Sequence, residues 1–238
     1  MDHSDIDWAA PSLDPNVVRE VRGALRDLAE AASEGEAIDA THALHESICY
    51  AAVTVEAETV PAVGALRRLL ADRGFVWPQF ALQLLETVAS VDGVLASATA
   101  LKGAVREELL RVLPWAEEAS TRADRDVRGA AVLFLATMSQ DGAEDFRRFR
   151  TLAGEETDDV AQADLALAAV MCAVRADGRV PDGFVRTCLT HGNPAVRYRV
   201  GLFLDDHGYQ YPDGDLRALT EAAGADVLSR GLYRMEYM

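Results

Sequence analysis

The chain has little positive charge, few aromatic rings, three cysteines and no long apolar run, and each shortage removes a class of protein. Lysine and arginine together number 23 against 39 aspartates and glutamates, a formal net charge of −16. Nucleic-acid affinity rests largely on cationic side chains that displace counterions from phosphates, so a non-specific DNA or RNA binder is disfavoured. Aromatic residues make up 7% of the chain, and no long alternating run of Val, Ile and Thr is present, which argues against a β sandwich or barrel. The longest uncharged stretches, residues 74–85 and 129–140, fall short of the roughly 18–20 apolar residues of a membrane span. The N-terminus, Met1-Asp-His-Ser-Asp-Ile-Asp-Trp8, is acidic where a secretory signal is basic and then apolar. A cytoplasmic protein without membrane contact is expected. Cys49, Cys172 and Cys188 are odd in number and scattered, which suits buried free thiols in a reducing compartment and not a disulfide frame or a zinc site.

Motifs of catalysis are also missing. There is no Gly-x-Ser-x-Gly elbow and no cysteine in a recognisable active-site motif. Neither phosphate-binding glycine pattern, Gly-x-x-x-x-Gly-Lys or Gly-x-Gly-x-x-Gly, precedes a helix. Asp141-Gly-Ala-Glu144-Asp145 lacks the alternating ligands and terminal glutamate of a calcium loop, and reads as a turn with a helix cap. No cofactor is expected, and enzyme activity is disfavoured.

What the chain does have is Ala, Leu and Val in helical rhythm, with half of all residues hydrophobic. Small, strongly helix-forming residues suit closely packed helices. Start and stop signals divide the sequence into helices near 14–28, 38–53, 61–74, 78–90, 98–119, 124–140, 144–152, 157–176, 181–190, 193–207 and 213–223, with a last short one ending near Tyr237. Pro114 predicts a break near Leu113. No Ser-, Gly- or Pro-rich linker interrupts the series, so residues 14–238 read as one domain after an N-terminal extension, 1–13.

One helix-opening signature recurs: Asp14-Pro-Asn-Val17, Asp124-Arg-Asp-Val127, Thr157-Asp-Asp-Val160 and Asn193-Pro-Ala-Val196. The last three begin 33 and then 36 residues apart, a period typical of stacked helical repeats. In the stretches Asp124-Arg-Asp-Val-Arg-Gly-Ala-Ala-Val-Leu-Phe-Leu135 and Asn193-Pro-Ala-Val-Arg-Tyr-Arg-Val-Gly-Leu-Phe-Leu204 the chain resembles HEAT and HEAT-like repeats. Leu44-His45-Glu-Ser-Ile-Cys-Tyr50, with Thr59-Val-Pro-Ala-Val63 and Leu66-Arg-Arg-Leu-Leu70, resembles an actinobacterial group of HEAT-repeat proteins of unassigned role. The resemblance implies an all-α fold, an α-α superhelix of helical hairpins wound as a right-handed solenoid with a concave face. It also implies that Arg128 and Arg197 pair with acidic groups of the neighbouring repeat. Some HEAT-like proteins are DNA glycosylases that use aromatics and an acid on a basic concave surface. Trp8, Trp77 and Trp115 with Asp92 or Asp124 could fill those parts, but Arg147-Arg148-Phe149-Arg150 is the one tight basic run.

Two segments break the repeat pattern and hold most of the candidate site residues. His42, His45, Glu46 and Cys49 lie at spacings that share a helix face. Imidazole, carboxylate and thiolate all ligate zinc, which makes His42, His45 and Cys49 the metal candidates. The order is not that of zinc peptidases, however, and no bound metal is expected. His45, Glu46 and Tyr50 are the catalytic candidates if the chain is an enzyme. At the other end, Tyr209 and Tyr211 stand among carboxylates, followed by Tyr233 and Tyr237. Tyrosine favours interfaces, so His42, Trp77, Trp115, Tyr209 and Tyr211 are the binding candidates. The expected function is non-catalytic: a protein-binding scaffold, adaptor or inhibitor with a concave acidic face that takes a basic partner such as a toxin. The alternative is a small-molecule or DNA-modifying enzyme on the same scaffold.

Overall fold

The structure, a computed structural model, describes residues 8, 13–49, 54–91, 93–96, 99–212 and 214–232. Among them are twelve α-helices and no strand. No helix of the described residues is long and apolar enough to cross a membrane. Contacts divide the chain into two compact units, Met1–Arg122 and Ala123–Met238.

The first unit holds α1 (Pro15–Glu30), α2 (Glu34–Ile48), α3 (Thr59–Ala71), α4 (Pro78–Ser90), α5 (Ala100–Leu110) and α6 (Leu113–Ala119). Asp14 caps α1, its carboxylate accepting from Asn16 N at 2.7 Å, and Pro15 follows at the first helical position, where its missing N–H leaves no bond unmade. α2 begins four residues before the expected Ile38. Ser33 accepts from Glu36 N, while Glu36 reaches back to Ala32 N at 2.8 Å. That reciprocal pairing absorbs Gly35 into the first turn, where the sequence suggested a stop. The helix ends at Ile48, whose carbonyl accepts from the fully buried Thr59 hydroxyl at 2.5 Å. Pro114 acts as expected: α5 ends at Leu110 and α6 starts at Leu113.

The second unit holds α7 (Arg125–Met138), α8 (Gly142–Glu155), α9 (Asp159–Asp177), α10 (Asp182–Leu189), α11 (Pro194–Asp206) and α12 (Leu216–Arg230). α7, α9 and α11 lie side by side in chain order. α8 covers α9, α10 covers α11, and α12 closes the free flank of α11. α9 is buried nearly all round, with Leu165, Ala168, Ala169, Val170 and Cys172 among its covered residues, as a helix apolar on every side must be.

Boundaries in the second unit also differ from the sequence reading. The cap of α9 is Asp158, not Thr157: its carboxylate accepts from Val160 N at 3.0 Å and Ala161 N at 2.9 Å. Aspartate outcompetes threonine as a cap, and Thr157 N instead donates to Glu156 Oε1. The structural caps Asp124, Asp158 and Asn193 are therefore 34 and 35 residues apart, a more even period than the motif itself gave. α12, in turn, runs past Ala223 to Arg230 and stops at Gly231, in the left-handed conformation at φ 61°. Gly224 does not end it, because that missing side chain receives the Tyr198 ring, 3.1 Å from where a Cβ would stand. The short final helix expected near Tyr237 falls outside the described residues.

Candidate functional site

The helical spacing on α2 does not gather its polar residues. His42 and Glu46 are exposed and His45 is half-buried, whereas Cys49 is fully buried. Cys49 is the cap of α2 and has left the helix, at φ −148° and ψ 73°, so its side chain drops out of the i, i+3, i+7 row. Among the described residues no group of three or more His, Cys, Asp or Glu side chains is placed to hold a metal ion. Tyr50, Asp92, Asp213, Tyr233 and Tyr237 lie outside the described residues.

Trp77 and Trp115 fasten the first unit. Trp77 Nε1 donates to Ala31 O at 2.9 Å, tying the start of α4 to the end of α1. The Arg122 guanidinium stands 4.6 Å over the Trp115 ring. Both indoles are half-buried. In the second unit the Tyr209 hydroxyl donates to Asp182 Oδ1 at 2.9 Å, which pins the segment after α11 to α10. Burial first, and Asp182 second, push the Tyr209 phenol above its ordinary range. Tyr211 beside it is half-buried.

Once the caps are aligned, the fourth helical residue of α7, α9 and α11 forms a column: Arg128, Gln162 and Arg197. Each reaches back to carbonyls before its own helix and forward to the next helix pair. Arg128 donates to Ala123 O and sits 3.5 Å from Glu156. Arg197 donates to His191 O at 2.6 Å and to Asp226 Oδ2 at 2.9 Å. Gln162 Nε2 donates to Ala153 O and Glu156 O, and its Oε1 accepts from Asn193 Nδ2 at 3.0 Å. Asn193 Nδ2 also donates to Asp159 O at 2.8 Å, so one cap is bonded to the helix before it. The sequence reading found the two arginines and missed Gln162, because the motif placed Ala161 at that position. Replacing Gln162 by alanine is expected to lower stability by about 1–2 kcal/mol, since three part-buried groups lose a partner. Urea denaturation of the variant measures this loss.

A second column runs through Gly129, Asp164 and Arg199, each 35 residues from the last. Asp164 is buried in α9, its Oδ1 3.2 Å from Arg199 Nη2 of α11. Its other oxygen packs onto Gly129 of α7, where any Cβ would collide with it. Burial pushes the Asp164 carboxyl above its ordinary range, and Arg199 opposes that rise. Asp126 and Asp158 add to it and Arg125 lessens it.

Cys172 and Cys188 are not poised for chemistry. Burial raises Cys172 to about 11, with Asp145 adding, and Cys188 to about 12 against the pull of Arg150. Nucleophilic cysteines have depressed values. Each unit also has an open cavity among its described residues. In the first unit Arg19, Arg22 and Arg26 edge a groove of about 660 Å³ shared with Glu30 and Asp72, a mixed charge. In the second unit a cavity of about 590 Å³ lies among α8, α9, α10 and α11. No family model matches the chain, and no similar curated protein or solved structure was found.

Proposed function

We propose that the chain is a non-catalytic protein-binding scaffold, a right-handed superhelix of HEAT-like hairpins whose acidic concave face takes a basic protein partner. The observation that carries this reading is the disposition of charge. Three arginines face neighbouring helices in neutral pairs, Arg128 with Glu156, Arg197 with Asp226 and Arg199 with Asp164, so the excess of negative charge rests on the remaining residues. Carboxylates such as Asp159, Asp177, Asp205 and Asp206 stand exposed on a chain of net charge −16. A field of one sign steers oppositely charged partners and raises their rate of encounter. Neutralisation of a basic toxin is the specific form of this reading. The recurring polar residues support it from the other side, because each bonds a neighbouring helix and reads as scaffold.

Affinity capture from the source lysate, with mass spectrometry of the eluate, tests the reading. The expected result is one stoichiometric protein of high isoelectric point. Raising salt from about 0.05 to 0.5 M shortens the screening length several-fold, so its association should weaken by about tenfold or more. A partner held equally at both salt concentrations, or a tightly bound metabolite with no protein, would count against it.

A further inference from the structure

The cavity of about 590 Å³ in the second unit has the size of a small-molecule site, commonly about 300–1,000 Å³. Its floor is apolar: Ala153 of α8, Ala166 of α9 and Val196 of α11 line it, and all three are buried. One wall is Phe184 of α10. That ring is held edge-on by Phe146 at 5.3 Å and 82°, with the Arg150 guanidinium 5.8 Å from its centroid. Arg150 makes no ion pair among the described residues, unlike Arg128, Arg197 and Arg199. His191, Gln162 and Thr187 are the other polar side chains at the cavity, and the Gln162 amide is taken up by Ala153 O, Glu156 O and Asn193. The His191 ring is the group of interest. Its Nδ1 accepts from Asn193 N at 3.1 Å, which places the proton of the neutral ring on Nε2 and leaves that nitrogen a donor. The Thr187 hydroxyl proton is already given to Gly183 O.

Glycines keep the space open. Gly154 of α8 and Gly183 of α10 both line the cavity, and a Cβ at either would meet no atom within 4 Å. Alanine is the better helix former at such positions, and nothing steric at either site calls for glycine. A cation and a ring N–H donor over an apolar floor, with no carboxylate in the lining, fit one ligand chemistry. We propose that this cavity binds a small organic anion, a carboxylate or sulfonate on an aromatic or aliphatic body. The head group sits at Arg150 and His191, and the body lies against Phe184 and Ala166. Arg150 is the one arginine among the residues that line the cavity, and no carboxylate stands among them. The site does not depend on the proposed acidic binding face.

Anilinonaphthalene sulfonate, an amphipathic anion that fluoresces when shielded from water, is the probe. The full chain is expected to show one saturable site. Arg150→Gln should weaken binding about tenfold, the effect of one charge-assisted hydrogen bond, with an unchanged thermal melt because Arg150 is exposed. Gly154→Leu should abolish binding by filling the cavity while the chain stays folded. Decanoate should displace the probe at concentrations about tenfold below those of decanol, for the same reason. The proposal is overturned if no saturable site is seen, if either variant binds the probe as the parent chain does, or if decanol competes as well as decanoate.

Discussion

Replacing Gly142 by valine is expected to destabilise the second unit by about 3 kcal/mol or more, the upper end of overpacking effects. Gly142 opens α8 and is buried against α9. A Cβ there would lie 2.6 Å from the Cys172 carbonyl oxygen and 3.0 Å from Ala176 N. Both atoms are backbone of the most deeply covered helix in the unit, so neither can rotate away as a side chain would. Relief requires lifting the start of α8 or unwinding a turn of α9, and each exposes buried apolar surface. Gly154→Ala is the matched control, since a Cβ at that end of α8 meets open space. It should be neutral or stabilising by up to about 1 kcal/mol through helix propensity. Urea midpoints of the two variants decide the matter. A Gly142→Val chain that unfolds at the parent's midpoint would show that α8 does not approach α9 so closely.

The helices were legible because capping and periodicity are local. Asp14, Asp124 and Asn193 announce their helices, and Pro114 announces a break, since each acts through its own backbone. What failed was any signal with two meanings. Gly35 stands between two expected helices and Gly224 just past the expected end of another, yet one lies in the first turn of α2 and the other receives the Tyr198 ring. Glycine alone does not say whether it frees a turn or makes room for a neighbour. The signature at Thr157 was misread by one residue, and that slip hid Gln162, whose amide does the work of the arginines at the same position. An even spacing of the caps would have found it. The pair of Asp164 and Arg199 was visible too: a lone carboxylate in an apolar helix needs a partner, and an arginine stands one repeat further on. The cavity beside Arg150 was not legible, because it depends on how α8 leans over α9 and α10 over α11, which no local pattern records.

Arg199→Met is the second large effect, and its pH dependence identifies the cause. Removing one partner of a buried ion pair strands the other charge, at a cost of about 3–5 kcal/mol. Asp164 is wedged against Gly129 and cannot swing to solvent, so near neutral pH the variant should lose stability of that order. The sign then follows from the proton. Burial already places the folded-state carboxyl above its ordinary range, and Arg199 is the largest influence holding it down. Without Arg199 it rises further, so the folded chain binds a proton more tightly than the unfolded chain. Between the unfolded and folded values, stability therefore falls as pH rises. The penalty is full above the folded value and gone below the unfolded one, where Asp164 is neutral in both states. Arg199→Met should accordingly recover toward the parent as pH is lowered from neutral, and Arg199→Met combined with Asp164→Asn should show less of this recovery. Urea midpoints of the three chains across that range provide the measurement. A gap between parent and Arg199→Met that stays constant with pH would mean that the arginine contributes packing alone, and that Asp164 is not held charged against its burial.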